Sequence, residues 1–390
     1  MSWTPRKFEE LVDFHDHDRV PLSTLVREKR QGKYRYFGAQ GVIDYIDDFI
    51  FDGEFVLIAE DGANLVTRNQ PIAQIANGQF WVNNHAHVVK AKPGVTTNYF
   101  INTLINSMNL TGYVTGAAQP KLSQKNLRIV DVSVPSLHVQ KQISKILSAY
   151  DDLIETNRRR IELLEQSARL LYKEWFVHLR FPGHEHVTIT NGIPDGWKLS
   201  TLGECATFFS GGTPRKSNPN YWGGHIPWVS SGELKHMRIH RTSLNVTEEG
   251  VSSGTRLVEP GAILAVVRGM SLAKEFRVGI AAVPVSFNQD LRALVSNEGI
   301  DSLFLFHSIY DQRDSIRERA SDSSHGTKKL DTPVLSAIPI LVPPRTTQAL
   351  FCDVVTRIHA QWDTLDCAIQ KLEAARDLLL PRLTNGEIAV

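Results

Sequence analysis

The chain has 390 residues, a hydrophobic share of 42% and a formal net charge of +1. Its length is too great for a single ordinary core and predicts two or more domains. No run of 18 or more apolar residues is present, and the charged start MSWTPRKFEELVDFHDHD lacks a signal-peptide core. We therefore expect a cytoplasmic protein without a membrane span. Because the net charge is near zero, a DNA-binding role would depend on local patches or on partner subunits.

The cysteine pattern argues against a metal site. Cys205, Cys352 and Cys367 have neither CxxC spacing nor neighbouring histidines. Without these features, neither a zinc site nor a disulfide framework is expected. We expect reduced, structural thiols, and no metal or cofactor bound by this chain.

The first predicted domain covers residues 1–135. Its sequence RVPLSTLVREKRQGKYRYFGAQGVIDYIDDFIFDGEFVLIAEDG alternates short β-branched and aromatic runs with glycine and aspartate. Runs punctuated in this way predict strands joined by turns. The composition indicates a mixed α/β domain.

A long helix is predicted next, over residues 136–182. Apolar residues recur there at steps of three and four, which is the helical period. About 40 residues of helix would measure roughly 60 Å. The predicted seam comprises Ile143, Ile146, Tyr150, Ile154, Asn157, Ile161, Leu164, Ala168, Leu171 and Trp175. Asn157 either fixes the register of a helix pair or faces water near a helix crossing.

The second predicted domain covers residues 183–343 and starts with the polar linker GHEHVTITNGIPDG. Both domains contain LSTL, at Leu22–Leu25 and Leu199–Leu202, which we place at the start of each domain. Two further pairs indicate related strands and turns: VLIAEDGANL with ILAVVRGMSL, and WVNNHAHVV with SFNQDLRAL.

A second long helix is predicted over residues 344–390, and it reveals an internal repeat. The stretches Ala117 to Gln140 and Gly326 to Gln348 resemble each other, and from Lys121 and Lys329 onward the match runs along the helix at an offset of 208 without a gap. Identical pairs include Lys121 with Lys329, Leu122 with Leu330, Pro135 with Pro343, Gln140 with Gln348, and Leu170 with Leu378. The second seam comprises Phe351, Val354, Ile358, Trp362, Leu365, Ile369, Leu372, Arg376, Leu379 and Leu383.

The predicted fold class is therefore α+β. Two mixed α/β domains alternate with two long helices that pair as an antiparallel coiled coil, with a pseudo-two-fold repeat. A helix this long with an apolar seam needs a matching helix, and the chain supplies one. The alternative is that each helix simply packs on its own domain.

This order of elements resembles the specificity subunit of Type I restriction-modification enzymes. The resemblance covers nearly the whole chain and is carried by PDGWKLSTLGE, GGTPRKSNPNYWGGHIPWVSSGEL, GKYRYFGAQGVIDYIDDFIFDG and the two strand–helix junctions. It implies a non-catalytic chain with two target-recognition domains that selects an asymmetric, bipartite sequence in double-stranded DNA. It also implies two methyltransferase subunits and motor-nuclease restriction subunits as partners, with S-adenosylmethionine used by the methyltransferase.

On that interpretation, base and phosphate contacts come from polar and basic side chains on exposed loops. In the first domain the candidates are Lys33, Tyr34, Arg35, Tyr36 and Gln40, on a predicted glycine-flanked turn, with Asn64, Asn83, Asn84, His85 and Lys121. In the second domain they are Thr213, Arg215, Lys216, Trp222, Trp228, Ser230, Arg268, Ser271, Asn288, Gln289, Lys328 and Lys329.

Each group has a structural alternative. The aromatic candidates can pack the domains instead of touching DNA. The asparagines and Gln289 can cap turns, and Arg215 and Lys216 can be solvated turn charges.

Other functions remain open at this point. NPNY at Asn218–Tyr221 is similar to an adenine-methyltransferase loop but lacks its second proline, and no glycine-rich cofactor turn follows an N-terminal strand. Pro194, Asp195, Glu233 and Lys235 have the outline of a metal-dependent nuclease signature, although PDG also predicts a turn. A coiled-coil adaptor that binds protein partners is the remaining alternative.

Overall fold

The computed structural model describes residues 3–116, 118–323 and 327–390 and has the predicted α+β fold. Ala117 and Gly326, which begin the two repeat copies, lie outside these ranges. The chain divides into two compact units. Unit 1 comprises the residues up to Asn157 together with Cys367–Val390, and unit 2 is Arg158–Asp366.

Unit 1 is built on two four-stranded sheets and a strand pair. The strands are β1 Thr4–Lys7, β2 Val12–Phe14, β3 Gln31–Gly38, β4 Gly41–Ile46, β5 Phe51–Asp52, β6 Phe55–Ala59, β7 Ala73–Ala76, β8 Gln79–Val82, β9 Ala86–Ala91 and β10 Asp131–Val134. The sheets have the strand orders β2-β9-β6-β7 and β4-β3-β8-β5, and β1 pairs with β10. Its helices before the long one are α1 Thr24–Lys29, α2 Asn64–Thr67, α3 Asn98–Ser107 and α4 Gln124–Arg128.

Unit 2 has a related plan, extended to three sheets and two strand pairs. Its strands are β11 Ile189–Thr190, β12 Ile193–Pro194, β13 Lys198–Thr201, β14 Ala206–Ser210, β15 Trp222–Val229, β16 Arg238–Ile239, β17 Asn245–Val246, β18 Leu257–Val258, β19 Ile263–Val266, β20 Arg268–Gly269, β21 Val278–Ala281, β22 Val285–Phe287, β23 Leu291–Ser296, β24 Ser321–Asp322, β25 Lys328–Lys329 and β26 Pro339–Val342. The sheets are β14-β23-β19-β21-β16, β17-β15-β22-β18 and β20-β25-β24, with the pairs β13-β26 and β11-β12. Its short helices are α6 Leu202–Cys205, α7 Glu248–Gly254, α8 Ser271–Lys274, α9 Ser302–Asp311, α10 Arg313–Glu318 and α11 Thr332–Ser336.

The two long helices are α5 Leu137–Tyr172 and α12 Arg345–Thr384, of 36 and 40 residues. A π-helical turn, Lys173–Val177, follows α5. Both helices contribute residues to both units. The repeat is maintained in the coordinates, since α4 and α11, β10 and β26, and α5 and α12 each begin at the predicted offset of 208.

Each unit holds a stretch of α5 against a stretch of α12. In unit 2, Glu165 accepts a hydrogen bond from the indole nitrogen of Trp362 at 3.1 Å, and Tyr172 packs on Phe351 with ring centroids 6.0 Å apart. Residue numbers rise along one helix as they fall along its partner. This contact pattern confirms the predicted antiparallel pairing.

In unit 1, Arg376 on α12 donates to Asp151 on α5 at 2.8 Å. Leu147 of α5 and Leu383 of α12 lie in the same apolar core, which also holds the α3 side chains Phe100 and Leu104. The two helices therefore pair here as well, and the domain packs on the pair.

The predicted seam is buried or half-buried along both helices with one exception. Its fully buried members are Ile143, Ile154, Ala168, Phe351, Trp362, Leu365, Ile369 and Leu383. Half-buried members include Asn157, Ile161, Leu164, Leu171, Leu372 and Leu379. Val354 is a wrong assignment: it is 40% exposed, while Val355 is fully buried. The step after Phe351 is four residues instead of three, because Val355 packs with Phe351 in the unit 2 core.

Two local predictions are also wrong. LSTL does not mark equivalent positions, because Ser23 caps α1 in unit 1, whereas Leu199 and Ser200 lie in β13 in unit 2. The true counterpart of β13 is β1, since β1 pairs with β10 as β13 pairs with β26. The stretch predicted as a polar linker is instead structured, because it contains the β11–β12 hairpin of unit 2.

Cys205 and Cys352 are buried, as expected of structural thiols, whereas Cys367 is exposed. None of the helices in the described ranges is long and apolar enough to cross a membrane.

Candidate nucleic-acid interface

Three separated segments of unit 1 meet at one edge of its sheets. The segment after β6 bridges to the repeat junction, with Asp61 paired to Lys121. The β8–β9 turn joins them, because the His85 ring nitrogen lies 2.7 Å from an Asp61 carboxylate oxygen. We call Asp61–Gly62, Asn83–His85 and Lys121 the unit 1 edge. It gathers four of the predicted DNA-contacting residues from distant points in the chain.

The counterpart in unit 2 is assembled in the same way. Arg268 pairs with Lys329 in the β20–β25 ladder. The backbone amides of Val267 and Arg268 donate to the carbonyl of Asp290, in the turn after β22, at 2.9 and 3.2 Å. We call Arg268–Gly269, Asn288–Asp290 and Lys328–Lys329 the unit 2 edge. Equivalent segments thus form both edges.

The residues of the two edges differ in charge. Arg268 is exposed and has no ion-pair partner among the described residues, while Lys328 and Lys329 pair with Asp322 at 2.9 Å and Asp331 at 3.2 Å. Unit 1 has Asp61 where unit 2 has arginine. The unit 2 edge is therefore more basic than the unit 1 edge.

The side chain of Lys121 is held by a partly buried network of charged groups. Its ammonium lies 3.2 Å from Glu60, which also accepts a hydrogen bond from Arg19 at 2.9 Å. Burial opposes ionisation of Glu60, but the hydrogen bond from Arg19, the charge of His87 and the hydrogen bond from Lys121 together lower its pKa. Glu60 is thus a carboxylate that fixes the Lys121 head group at the surface.

His87 contributes to the same network. It has no exposed surface, and its two ring nitrogens lie 2.7 Å from an Asp16 carboxylate oxygen and 2.7 Å from the Leu122 carbonyl. The ring therefore bridges the Asp16 carboxylate and the Leu122 carbonyl. The backbone next to Lys121 is tied to the core by this buried imidazole.

The second basic group in unit 2 lies on the loop between β14 and β15, which includes Arg215 and Lys216. Its backbone accepts hydrogen bonds from two indole nitrogens: Trp228 donates to the Gly212 carbonyl at 3.1 Å and Trp222 to the Arg215 carbonyl at 3.4 Å. The two rings pack edge to face at 5.2 Å. This pair of tryptophans supports the loop.

The start of the same loop is fixed by close backbone approach. A Cβ at Gly211 would collide with the carbonyl of Phe287, and one at Gly212 with that of Gly254. Thr213 donates to Gln289 at 2.8 Å, which links the loop to the unit 2 edge. The loop is consequently held in one conformation, and its two basic side chains are exposed.

Exposure divides the sequence-predicted residues into three groups. Exposed are Lys33, Gln40, Asn84, His85, Lys121, Arg215, Lys216, Arg268 and Gln289. Half-buried are Tyr34, Arg35, Thr213, Trp222, Ser230, Ser271, Lys328 and Lys329. Buried are Tyr36, Asn64, Asn83, Trp228 and Asn288.

The buried group has the packing and capping roles that were the alternatives. Tyr36 is fully buried, and its hydroxyl accepts a hydrogen bond from the Leu22 amide at 2.9 Å. Asn83 and Asn288 each accept from the backbone amide two residues later, at 2.8 and 3.1 Å. These side chains shape the two edges from within.

The glycine-flanked turn predicted for Lys33 to Gln40 is a wrong assignment, because most of this segment is strand β3. The second half of β3 runs parallel to β8, so Arg35 lies beside Phe80 and Phe37 lies beside Val82. Gln40 follows the end of β3, where the Asn83 amide donates to the Phe37 carbonyl at 3.0 Å, whereas Lys33 and Arg35 lie earlier in the strand. The sheet therefore separates a group that the sequence presents as one.

The nuclease outline has little support in the geometry. Glu233 accepts a hydrogen bond from the Ser243 hydroxyl at 2.5 Å, and the Pro194 carbonyl accepts one from the Trp197 amide at 3.0 Å, as in a turn. In the ranges that the structure describes, no group of three or more His, Cys, Asp or Glu residues could hold a metal ion.

Sequence reasoning missed the supporting residues. Glu60 and His87 lack any motif, and only their convergence on Lys121 reveals them. The start of the first domain could have been matched to the start of the second from sequence, because Trp3 and Glu10 have the same spacing as Trp197 and Glu204. Both glutamates accept a hydrogen bond from the backbone amide three residues earlier.

The family model that matches the chain is described as "Type I restriction modification DNA specificity domain", and it covers residues 2–166 and 194–374. The MjaIX specificity subunit of Methanocaldococcus jannaschii is 27% identical over 84% of this chain and 78% of its own length. A putative specificity subunit of Haemophilus influenzae, S.HindORF215P, is 36% identical over 38% of this chain and 37% of its own length. Among solved structures, a Type I restriction-modification S subunit from M. genitalium has a TM-score of 0.59 at 18% identity, covering 98% of this chain and 96% of that one. The last likeness concerns the fold alone.

Proposed function

The chain belongs to the family of Type I restriction-modification DNA specificity domains, and from this premise we propose that it selects an asymmetric, bipartite sequence in double-stranded DNA. As a specificity subunit it recognises DNA sequence and is not itself catalytic. We propose two methyltransferase subunits and restriction subunits as its partners, with S-adenosylmethionine bound by the methyltransferase.

The observation that carries the bipartite proposal is the contrast between the two edges. Equivalent segments form both, yet Asp61 of one stands where Arg268 of the other does. Two recognition domains that share a framework and differ in their exposed side chains would select different bases. Two unlike half-sites are the expected result.

Recruitment of two identical partners is supported by one pair of exposed leucines. Leu170 on α5 is 63% exposed and Leu378 on α12 is 66% exposed. They occupy the same position in the repeat and are identical. Two equivalent apolar positions on two equivalent helices are suited to two copies of the same partner.

We further propose that α5 and α12 set the gap between the half-sites. Inserting one or two helical turns after Arg158 should change the gap and leave both half-sites unchanged. A changed half-site would contradict this role for the helices.

The decisive experiment is genome-wide mapping of methylated bases in cells that express the chain with its methyltransferase subunit. Cells that lack only this chain are the control. We expect a methylated motif of two unlike parts with a fixed gap. Absence of a chain-dependent motif, with the complex shown to assemble, would favour the protein-binding adaptor.

A second experiment tests recruitment. Leu170→Glu and Leu378→Glu should each remove one methyltransferase subunit from the complex, and the double variant should remove both, as measured by native mass spectrometry. Leu153→Glu is the matched control, because Leu153 is 52% exposed on α5 but has glutamine at its repeat position. Equal losses from the control would contradict the proposed docking positions.

A further inference from the structure

Unit 2 has a cavity of about 400 Å³ between the loop after β14, the start of β15 and strand β17. Lys216, Trp222, Gly223, Gly224, Leu244 and Asn245 line it. It adjoins the loop that carries Arg215 and Lys216, and the function proposed above assigns no ligand to it.

One wall of the cavity is a fixed aromatic ring. The Trp222 indole nitrogen donates to the Arg215 carbonyl, and the ring edge packs against Trp228 at 5.2 Å. The ring is nevertheless only half-buried. It therefore offers a flat apolar surface whose orientation is already set before any ligand binds.

The wall beside the ring is bare backbone. Gly223 has a φ of +79°, and a Cβ there would meet nothing within 4 Å. At Gly224 a Cβ would collide with the backbone of Val246. A side chain at Gly223 would occupy the open space, and a side chain at Gly224 would prevent the close approach of the two strands.

Two polar groups of the cavity, those of Lys216 and Asn245, lack partners among the described residues, whereas Ser243, which also lines it, donates to Glu233. Lys216 is exposed and forms no ion pair with any described residue. The side-chain amide of Asn245 is half-buried and has no hydrogen-bond partner in the described ranges. A free cation, a free amide and a flat ring converge on one cavity.

We propose that this cavity binds a single unstacked nucleotide, with its base against Trp222, a base edge on Asn245 and its phosphate on Lys216. Every nucleobase has a face that can stack on an aromatic ring, and lysine binds phosphate as a point charge. A paired base cannot present its face, so the nucleotide must be extrahelical or single-stranded. The proposal rests on the proposed DNA-binding function but assigns a separate site to it.

The nucleotide has two possible sources with the same chemistry, namely displaced DNA and free nucleotide. The test uses the full chain in complex with its methyltransferase subunit and measures 2-aminopurine fluorescence. The probes are a single-stranded trinucleotide with central 2-aminopurine, the same trinucleotide embedded in a duplex, and free 2-aminopurine deoxynucleoside monophosphate. We expect saturable binding of the single-stranded probe and at least ten-fold weaker binding of the duplex probe. Tighter binding of the single-stranded probe than of the free monophosphate would assign the site to displaced DNA, and the reverse order would assign it to free nucleotide.

The variants Lys216→Ala and Asn245→Ala should each weaken binding of the single-stranded probe at least five-fold. Lys235→Ala is the matched control, because Lys235 is an exposed lysine outside this cavity, and it should change binding less than two-fold. Equal effects of all three variants, or no saturable binding by any probe, would overturn the proposal. Motif methylation by the same preparation separates the two hypotheses: intact methylation without probe binding rejects the cavity alone, whereas absent methylation rejects the proposed function.

Discussion

The two strand–helix junctions are nearly identical, whereas the contacts that the long helices make farther along are not. At the β10–α5 junction Gln140 donates to the Pro135 carbonyl at 2.9 Å and the Val95 carbonyl at 3.1 Å. At the β26–α12 junction Gln348 donates to the Pro343 carbonyl at 3.0 Å and the Gly299 carbonyl at 3.3 Å. Both glutamines are buried. Each glutamine donates to two carbonyls and accepts one hydrogen bond, from Thr96 or from the Asp301 amide, which explains why this residue is retained in both copies.

Beyond the junctions the equivalent positions have different chemistry. Asp151 of α5 accepts hydrogen bonds from Arg376 and from the hydroxyl of Tyr99. The repeat-equivalent residue of α12 is His359, whose ring nitrogen accepts a hydrogen bond from Arg238 at 3.0 Å. The comparison teaches that the backbone geometry of the junction is constrained, while the side chains that attach each domain to its helices are free to change.

The largest expected difference between the units is in their response to acid. His307 and His359 lie in unit 2 with ring centroids 5.6 Å apart, and three of their four ring nitrogens are buried without a partner in the described part of the chain. Burial lowers the pKa of His307 to about 3 and that of His359 to about 4, where Arg238 adds to the effect. Both histidines are therefore neutral in the fold.

Because these folded-state pKa values lie below the ordinary 6.5, stability is complete above pH 6.5 and falls as the pH is lowered toward 4. We expect unit 2 to lose roughly 4 kcal/mol of unfolding free energy between pH 6.5 and 4.5. Urea unfolding at a series of pH values measures this loss. The double variant His307→Phe and His359→Gln, which keeps an acceptor for Arg238, should remove most of it. An unchanged pH slope in that variant would show that other groups are responsible.

The similarity of the junctions can be broken by removing either glutamine. Gln140→Leu and Gln348→Leu each leave buried carbonyls unpaired, and we expect each to cost about 2 to 3 kcal/mol. Urea unfolding followed by circular dichroism measures both losses, which should agree within about 1 kcal/mol. Gln361→Leu, on the exposed face of α12, is the control and should have little effect. A cost for one glutamine several times that of the other would mean that the junctions are alike in geometry only.

The two ion pairs that diverge between the units, Asp363 with Arg238 and Asp151 with Arg376, should differ in their contribution to stability. Asp363 accepts two hydrogen bonds from Arg238, at 2.5 and 2.6 Å, and one from His240 at 2.7 Å. Burial opposes its ionisation, but the hydrogen bonds from His240 and Arg238 lower its pKa to about 2. Asp363→Asn should therefore cost about 2 kcal/mol, and Asp151→Asn, at a more exposed pair, about 1 kcal/mol.

Thermal unfolding at pH 7 and low salt, repeated at 0.5 M salt, would measure these two effects. The Asp151 effect should shrink more in salt, because its side chain is 42% exposed and that of Asp363 is 31% exposed. An Asp151 effect larger than that of Asp363 would reverse the proposed order.

The smallest effect concerns the helix pair of unit 2. Burial raises the pKa of Glu165, and the neighbouring Glu162 adds to this, although the hydrogen bond from Trp362 opposes it. A raised carboxyl pKa means that stability falls as the pH rises above the ordinary value of 4.5. Glu165→Gln keeps an acceptor for Trp362 and should add about 0.5 to 1 kcal/mol at pH 8 but nothing at pH 4. A destabilised variant at pH 8 would contradict this interpretation.

Much of the fold could be predicted from sequence because the repeat is gapless where backbone geometry is fixed. The offset of 208 relates the start of α4 to that of α11 and the start of α5 to that of α12. LSTL misled because four identical residues can cap a helix or extend a strand, and only the pairing of β1 with β10 distinguishes the two.

The candidate site could be predicted only in part. Asn83, Asn84, Asn288 and Gln289 directly follow β8 and β22, where the capping alternative placed them, whereas Asn64 lies in α2 and Arg268 in β20. Which of them are exposed depends on sheet register, and Tyr36 and Trp228 are buried because their side chains point to the inner face of a strand. The support of Lys121 by Glu60 and His87 joins residues too far apart in sequence for any local pattern to indicate it.

Unit 1 is discontinuous in sequence, and this has a consequence for biosynthesis. Leu383 is 1% exposed in the unit 1 core, and Ile388 and Val390 pack against the same cluster. These residues are synthesised after all of unit 2, so unit 1 cannot complete its core until they have left the ribosome. Unit 2, whose residues are contiguous, can close first. Chains truncated soon after unit 2 would therefore release a folded second unit and an incomplete first one, a target for cellular proteases.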